Sequence, residues 1–93
     1  MTDTIRVGAG CLNQIPLDWA GNRRRILEAI SKAREADVSV LCLPELAITG
    51  YGCEDHFLSH EVSERAWASL LEIAPETQGL IVAVGLPVWV KNA

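Results

Sequence analysis

Two short, almost uninterrupted apolar runs constrain the fold of this chain more than any other feature. Residues 38–43 read VSVLCL and residues 79–90 read GLIVAVGLPVWV, the second run being interrupted only at Gly85 and Pro87. Runs of this length, rich in β-branched residues, are typical of strands covered on both faces. We therefore predict a sheet whose strands lie inside an α/β fold.

The segments between the predicted strands have helical periodicity. Apolar residues recur at helical spacing from about Gly21 to Ala36, and residues 61–74 repeat the pattern. Asp18 is a candidate cap for the first helix, and Pro75 is expected to end the second because the residue before a proline avoids the helical region. With a first strand in residues 4–12, the alternation of strands and helices predicts an α/β architecture.

Composition limits the classes of protein to which the chain can belong. The 93 residues are 49% hydrophobic and 22% charged, which is typical of a globular chain of one domain at most. The net charge of -4 argues against nucleic acid or an anionic membrane as partner. No apolar run is long enough to span a membrane, and the start lacks a signal pattern. The odd count of 3 cysteines fits a reducing cytoplasm.

Two short motifs resemble ligand sites, and each has a simpler interpretation. Gly8 and Gly10 follow strand-type residues, but the third glycine of a dinucleotide fingerprint is missing, so we expect the pair to allow close packing. Arg23, Arg24 and Arg25 lie at the start of a predicted helix that also carries acids. We expect them to form a solvated face rather than a phosphate site.

A cluster of metal-type ligands follows the second predicted strand. His56 and His60 are four residues apart and would share one face of a helix, with Cys53 and Asp55 nearby. The sequence has no His-Glu-x-x-His order and no Cys-x-x-Cys pairs, so we predict no metal site.

The cysteines near the middle of the chain are weak candidates for a nucleophile. Cys42 lies inside an apolar run and is expected to pack in the core. Cys53 is on a predicted loop, where the adjacent Glu54 and Asp55 disfavour the thiolate that a nucleophile requires.

Glu45 is the acid that the sequence singles out. It follows Pro44 directly after a predicted buried strand and is flanked by Leu46. In open α/β sheets, sites are built at the carboxyl ends of strands, and a carboxylate with little access to water there accepts a proton readily, as a general base must. The alternative is an ordinary surface carboxylate, and position alone does not decide between the two.

Several strings together resemble the start of a nitrilase-superfamily (carbon-nitrogen hydrolase) domain. They are LDWAGN, AREA, LPELAITGY and VAVGLP, and the resemblance covers essentially all 93 residues. CLNQIPLDWAGN and GYGCEDHF more narrowly resemble the amino-terminal glutaminase domain of glutamine-dependent NAD synthetases. The resemblance implies a four-layer α-β-β-α sandwich, of which residues 1–93 would form the amino-terminal portion, so that the sequence looks cut rather than finished.

The same resemblance implies a catalytic set of glutamate, lysine and cysteine. It makes Glu45 the general base that takes a proton from a cysteine thiol, and it places Tyr51 in the lining of the glutamine pocket. Lys91 follows the GLP string too closely to be the family lysine, and Cys53 comes too early to be the nucleophile. We therefore expect this chain to be inactive by itself. We also expect it to be poorly stable, because its apolar strands need a covering layer that two helices cannot fully supply.

The resemblance implies an enzyme of NAD biosynthesis that is both hydrolase and ligase. Ammonia released from glutamine would amidate an adenylated nicotinate dinucleotide in a synthetase domain, which would use ATP and Mg²⁺, whereas this chain is expected to hold no cofactor. A cytoplasmic, homo-oligomeric longer protein with no nucleic-acid or membrane partner is implied as well. Two alternatives remain: a fragment of a free-standing nitrilase-superfamily amidase for another small amide, and a non-catalytic structural fragment.

Overall fold

The computed structural model describes residues 4–53 and 59–90. Strands and helices alternate in the predicted order, which confirms the α/β class. The elements are β1 (Val7–Ala9), α1 (Trp19–Glu35), β2 (Val40–Cys42), α2 (His60–Ile73) and β3 (Ile81–Ala83), and a 3-10 turn (Ala74–Thr77) follows α2 directly.

The strands form one parallel sheet in the order β1-β2-β3. Gly8, Leu41 and Val82 lie side by side in the middle of the ladder. The strands are shorter than predicted because the chain leaves the ladder soon after its centre: the pairing of β2 with β3 ends with the hydrogen bond from Leu43 N to the Ala83 carbonyl at 2.9 Å. Since all three strands are parallel, their carboxyl ends meet at one edge.

The two faces of this sheet have different surroundings. The central residues point to the helices: Leu41 is 4% exposed and packs with Ile26 and Ile30 of α1. The opposite face carries Val7 and Ile81, which are 61% and 68% exposed. The prediction of strands covered on both faces is therefore wrong for the part of the chain that the structure describes, because both helices pack on the same side.

Capping and proline geometry set the ends of the helices. Asp18 caps α1 as predicted, its carboxylate accepting a hydrogen bond from Gly21 N at 3.1 Å. Helix α2 ends at Ile73, before Pro75, but the predicted reason is wrong. Ala74 keeps helical angles (φ -51, ψ -43), since Pro75 lies in the first positions of the 3-10 turn, where its missing N–H is not needed.

The glycines of the first strand allow close packing, as predicted. A methyl group at Gly8 would lie 3.3 Å from the side chain of Val38, and one at Gly10 would lie 2.7 Å from that of Leu43. The segments just before and just after β2 can approach β1 closely for this reason. No helix in the described part of the chain is long and apolar enough to cross a membrane.

Candidate active site

Glu45 lies at the edge of the sheet where the strands end. Residues 45–49 form a turn that begins three residues after the last residue of β2. Ala47 N donates to the Pro44 carbonyl at 3.2 Å and Gly50 N donates to the Leu46 carbonyl at 2.7 Å, so the turn closes on itself. The structure therefore places Glu45 at the strand-end position that the sequence predicts.

The main chain of Glu45 rests directly on Gly85. A methyl group at Gly85 would overlap the carbonyl group of Glu45 and lie 2.7 Å from its Cα. Ile48 N also donates a hydrogen bond to the Gly85 carbonyl at 3.2 Å. The segment after β3 and the turn after β2 thus approach each other as closely as two backbones can.

A polar clamp, formed by Gln14, Asn22 and Arg25, holds the turn from the side of α1. Asn22 is 0% exposed, and its side chain has four hydrogen bonds. Its Oδ1 accepts from Ile15 N at 2.9 Å and from Arg25 Nη2 at 2.7 Å. Its Nδ2 donates to the carbonyls of Ile15 at 2.8 Å and Ile48 at 3.1 Å. Through these hydrogen bonds the buried amide of Asn22 ties the loop before α1 to the turn that carries Glu45.

Gln14 extends the polar clamp to the neighbouring peptide group. Its Nε2 donates to the Ala47 carbonyl at 2.5 Å, while its Oε1 accepts from Arg25 Nε at 2.7 Å. Leu17 N donates to the Thr49 carbonyl at 2.8 Å. Together with the bond from Asn22, three consecutive carbonyl groups of the turn accept hydrogen bonds from the segment before α1 or from its first turn.

The arginine run is divided between surface and site. The side chain of Arg24 is 67% exposed, with its Nε 3.9 Å from Glu28, as a solvated face requires. Arg23 forms an ion pair with Glu72 of α2. The side chain of Arg25 is only 20% exposed and supports the polar clamp, so the prediction of a solvated face is wrong for this residue.

Glu45 is an exposed residue in this chain. The expectation of a poorly hydrated acid is therefore wrong for the described residues, because the edge where the strands end and the face without helices have no covering layer. None of the ion pairs found among the described residues involves Glu45. Its position is accordingly set by its own main chain, and its catalytic role stays a prediction.

Tyr51 lies just beyond the same turn and is 53% exposed. The residues on either side, Gly50 and Gly52, have φ of +79° and +80°, a conformation that glycine adopts without strain. A methyl group at Gly50 would in addition lie 2.8 Å from the carbonyl group of Ile15. These glycines fix the direction in which Tyr51 leaves the turn, and its place in a substrate pocket stays a prediction.

The other sequence candidates do not join this site. Cys53 is buried, and its Sγ lies 3.3 Å from the Gly50 carbonyl, which makes it a packing residue. Cys42 is exposed, and the prediction that it packs in the core is wrong because it lies on the face of the sheet without helices.

The predicted ligand cluster is only partly within the described residues. His60 is exposed, and its ring contacts that of Trp89 edge-on, with the centroids 3.8 Å apart. Asp55, His56 and Lys91 lie outside the described residues. Across residues 4–53 and 59–90, no three potential metal ligands come together.

Sequence reasoning missed three residues that shape this site: Gln14, Asn22 and Gly85. The sequence could have indicated the role of Gly85, since a glycine inside an apolar strand often marks a close approach of another backbone. It could have indicated the role of Asn22 too, as an amide in the apolar first turn of α1. It could not have indicated that of Gln14, because its partners lie in segments distant in sequence.

Comparisons by sequence and by structure both match this chain to the same kind of protein. The family described as carbon-nitrogen hydrolase matches residues 6–93. The chain is 45% identical over 94 residues to the glutamine-dependent NAD(+) synthetase of Saccharomyces cerevisiae, covering 99% of this chain and 13% of that protein. It is 40% identical over 90 residues to the glutamine-dependent NAD(+) synthetase of Oryza sativa subsp. indica, covering 95% and 12%.

A solved structure has the same fold. The crystal structure of a glutamine-dependent NAD(+) synthetase from Cytophaga hutchinsonii matches with a TM-score of 0.91 and 49% sequence identity, over 95% of this chain and 15% of that chain. The chain thus spans a small fraction of the length of the proteins that it matches.

Proposed function

The chain belongs to the carbon-nitrogen hydrolase family, and we propose that it forms the first part of the glutaminase domain of a glutamine-dependent NAD synthetase. The observation that carries this proposal is the match to such an enzyme at 49% identity and a TM-score of 0.91 over 95% of the chain. At this level of identity the likeness extends beyond the fold. The turn with Glu45, held by Gly85 and the polar clamp, supplies the site.

In the proposed reaction Glu45 acts as general base. Its carboxylate takes the proton from the thiol of a cysteine supplied by a later part of the domain, and the thiolate attacks the amide carbon of glutamine. A lysine from that later part stabilises the oxyanion of the tetrahedral adduct. The C–N bond then breaks, ammonia leaves with the proton, and a thioester remains. Glu45 guides the water that hydrolyses the thioester and releases glutamate.

The proposed domain also accounts for the exposure of Glu45. The open face of the sheet carries Val7, Cys42 and Ile81. We propose that a second sheet from the rest of the domain packs there and completes a four-layer α-β-β-α sandwich. That layer would close over the edge where the strands end, reduce the access of water to Glu45 and place Tyr51 beside the glutamine.

The ammonia has a proposed destination outside this chain. A synthetase domain in the longer protein would use ATP and Mg²⁺ to activate a nicotinate dinucleotide, and ammonia would convert the activated carboxyl group to the amide. We place this longer, homo-oligomeric protein in the cytoplasm. A free-standing amidase for another small amide shares the carbon-nitrogen hydrolase family, and it would lack both the nucleotide-binding domain and glutamine-dependent NAD formation.

The proposal is tested with Glu45→Gln in the full-length protein. NAD formation from glutamine is expected to fall by about 100-fold or more, since a positioned general base contributes about 10²–10⁴-fold. NAD formation from ammonium is expected to persist, because it needs no amide hydrolysis. Unchanged glutamine-dependent activity would show that Glu45 is not the general base. Residues 1–93 alone are expected to release no ammonia from glutamine.

A further inference from the structure

The position of the Glu45 carboxylate depends on its main chain. None of the ion pairs among the described residues includes this side chain, and Glu45 is an exposed residue. A general base must lie within hydrogen-bond reach of the proton that it abstracts, and a misplacement of about 1 Å is enough to lower a rate about 100-fold. Whatever holds the turn therefore controls the proposed chemistry.

Gly85 supports the turn from the side of β3. The overlap that a methyl group at Gly85 would create is with the Glu45 backbone itself, which cannot rotate away as the end of a side chain can. A side chain at this position would have to displace Glu45 or the segment after β3. Hydrogen is thus the only substituent at position 85 that leaves Glu45 where it lies.

The polar clamp supports the turn from the side of α1. The Asn22 amide donates to the Ile48 carbonyl, and both residues are buried, so that carbonyl has no access to water as a replacement. In Asn22→Asp an acceptor would face the carbonyls of Ile15 and Ile48 where a donor now lies. The turn would be pushed away from α1 while the side-chain volume stays almost unchanged.

We propose that Gly85 and Asn22, with Gln14, are positioning residues for Glu45 that set the place of its carboxylate through the main chain of the turn. This inference rests on the proposed role of Glu45 as general base. It assigns to these residues an effect on the rate of amide hydrolysis beyond their contribution to folding.

The test measures kcat and KM for glutamine hydrolysis in the full-length protein, with NAD formation from ammonium as the measure of an intact fold. Gly85→Ala is expected to lower kcat about 100-fold and Asn22→Asp about tenfold. KM for glutamine and the ammonium-dependent rate are expected to stay within about twofold, because neither substitution removes a group proposed to bind glutamine or to take part in the synthetase reaction.

Gly79→Ala is the matched control for Gly85→Ala. Gly79 has φ +88° and a methyl group there would meet nothing within 4 Å, so the substitution introduces backbone strain far from Glu45. It is expected to lower the melting temperature and to leave kcat for glutamine unchanged. A general loss of stability is thereby separated from a loss of positioning.

The decisive measurement repeats Gly85→Ala and Asn22→Asp in a Glu45→Gln background. If they act through Glu45, each is expected to change the residual kcat by less than about twofold, a strongly non-additive result. Additive effects in the double variants would overturn the inference, and so would a folded Gly85→Ala protein with wild-type kcat. If Gly85→Ala does not fold, Asn22→Asp and Gln14→Glu decide by the same criteria, the latter keeping an acceptor for Arg25.

The proposed function and this inference fail in different ways. Full glutamine-dependent activity of Glu45→Gln would overturn the role of Glu45 and the inference with it. Loss of activity in Glu45→Gln, combined with wild-type kcat in the folded Gly85 and Asn22 variants, would overturn the inference alone.

Discussion

The two faces of the sheet are built from the same three strands, yet they have opposite surroundings. Leu41 on the helix side is 4% exposed, whereas Ile81 on the other side is 68% exposed. Both are large aliphatic residues in neighbouring strands, so the difference does not come from hydrophobicity. It comes from α1 and α2, which pack on one side of the sheet only.

This contrast shows what an apolar run can and cannot reveal. Large exposed apolar patches are uncommon on soluble monomers and mark surfaces that another element covers. The open face carries Val7 and Ile81 at 61% and 68% exposure. It is the place where the proposed second sheet would pack, and the difference between the faces should disappear in the longer protein.

The largest effect is expected from a matched pair of alanine substitutions, one on each face of the sheet, made in residues 1–93. Leu41→Ala removes a buried side chain and should destabilise the fold by about 2–5 kcal/mol, which is expected to remove the helical circular dichroism of a chain this small. Ile81→Ala should change stability by no more than about 0.5 kcal/mol, because that side chain is already in water. Equal effects on the helical signal would contradict the difference in burial between the two faces.

An intermediate effect is expected from Ile81→Lys, made both in residues 1–93 and in the full-length protein. The open apolar face is expected to promote self-association of residues 1–93. Ile81→Lys should lower this self-association, measured by sedimentation, because it places a charge on that face. In the full-length protein it should destabilise the domain by about 3 kcal/mol, measured by urea midpoint, since a lysine would be buried without a partner. Ser31→Lys, on the exposed surface of α1, is the control in both backgrounds. No loss of stability in the full-length protein would show that the face stays open.

The smallest effect is expected at the cap of α1, which affects the helix side alone. Asp18→Ala removes the acceptor for Gly21 N and should reduce stability by about 1 kcal/mol, measured in the full-length protein by the urea midpoint. Asp18→Asn keeps a side-chain oxygen and should recover most of the loss. A loss that Asn does not recover would assign the effect to the contact between Asp18 and Arg25, at 3.4 Å, rather than to the cap.

The secondary structure was largely predictable because it depends on neighbours in sequence. The apolar period of 21–36 lies within α1 almost throughout, and the acid of Asp18 is where a cap must be. The positions of the strands were also predicted, although only three residues of each predicted strand take part in the sheet. Packing on one face, by contrast, was not predictable, since a run of apolar residues does not reveal how many layers are present.

The candidate site likewise has one part that could be predicted from the sequence and another that could not. Glu45 could be selected because a carboxylate after Pro44 interrupts an apolar stretch at the end of a strand. The polar clamp and Gly85 could not be given their roles, because each acts on the turn from a segment distant in sequence. Arg25 illustrates the limit: it looks like its two neighbours in the run, and only its position against Gln14 and Asn22 distinguishes it.

Periodicity, capping and short motifs are local properties, and they were enough to give the order of strands and helices, the family and the acid that follows β2. Which face of the sheet is buried, and what holds the turn with Glu45, became known only from the packing of the chain. The overlap of Gly85 with the Glu45 backbone and the bond from Asn22 to the Ile48 carbonyl exist only once distant segments are packed together. Contacts of this kind depend on distances between backbones, which no pattern along the chain encodes directly.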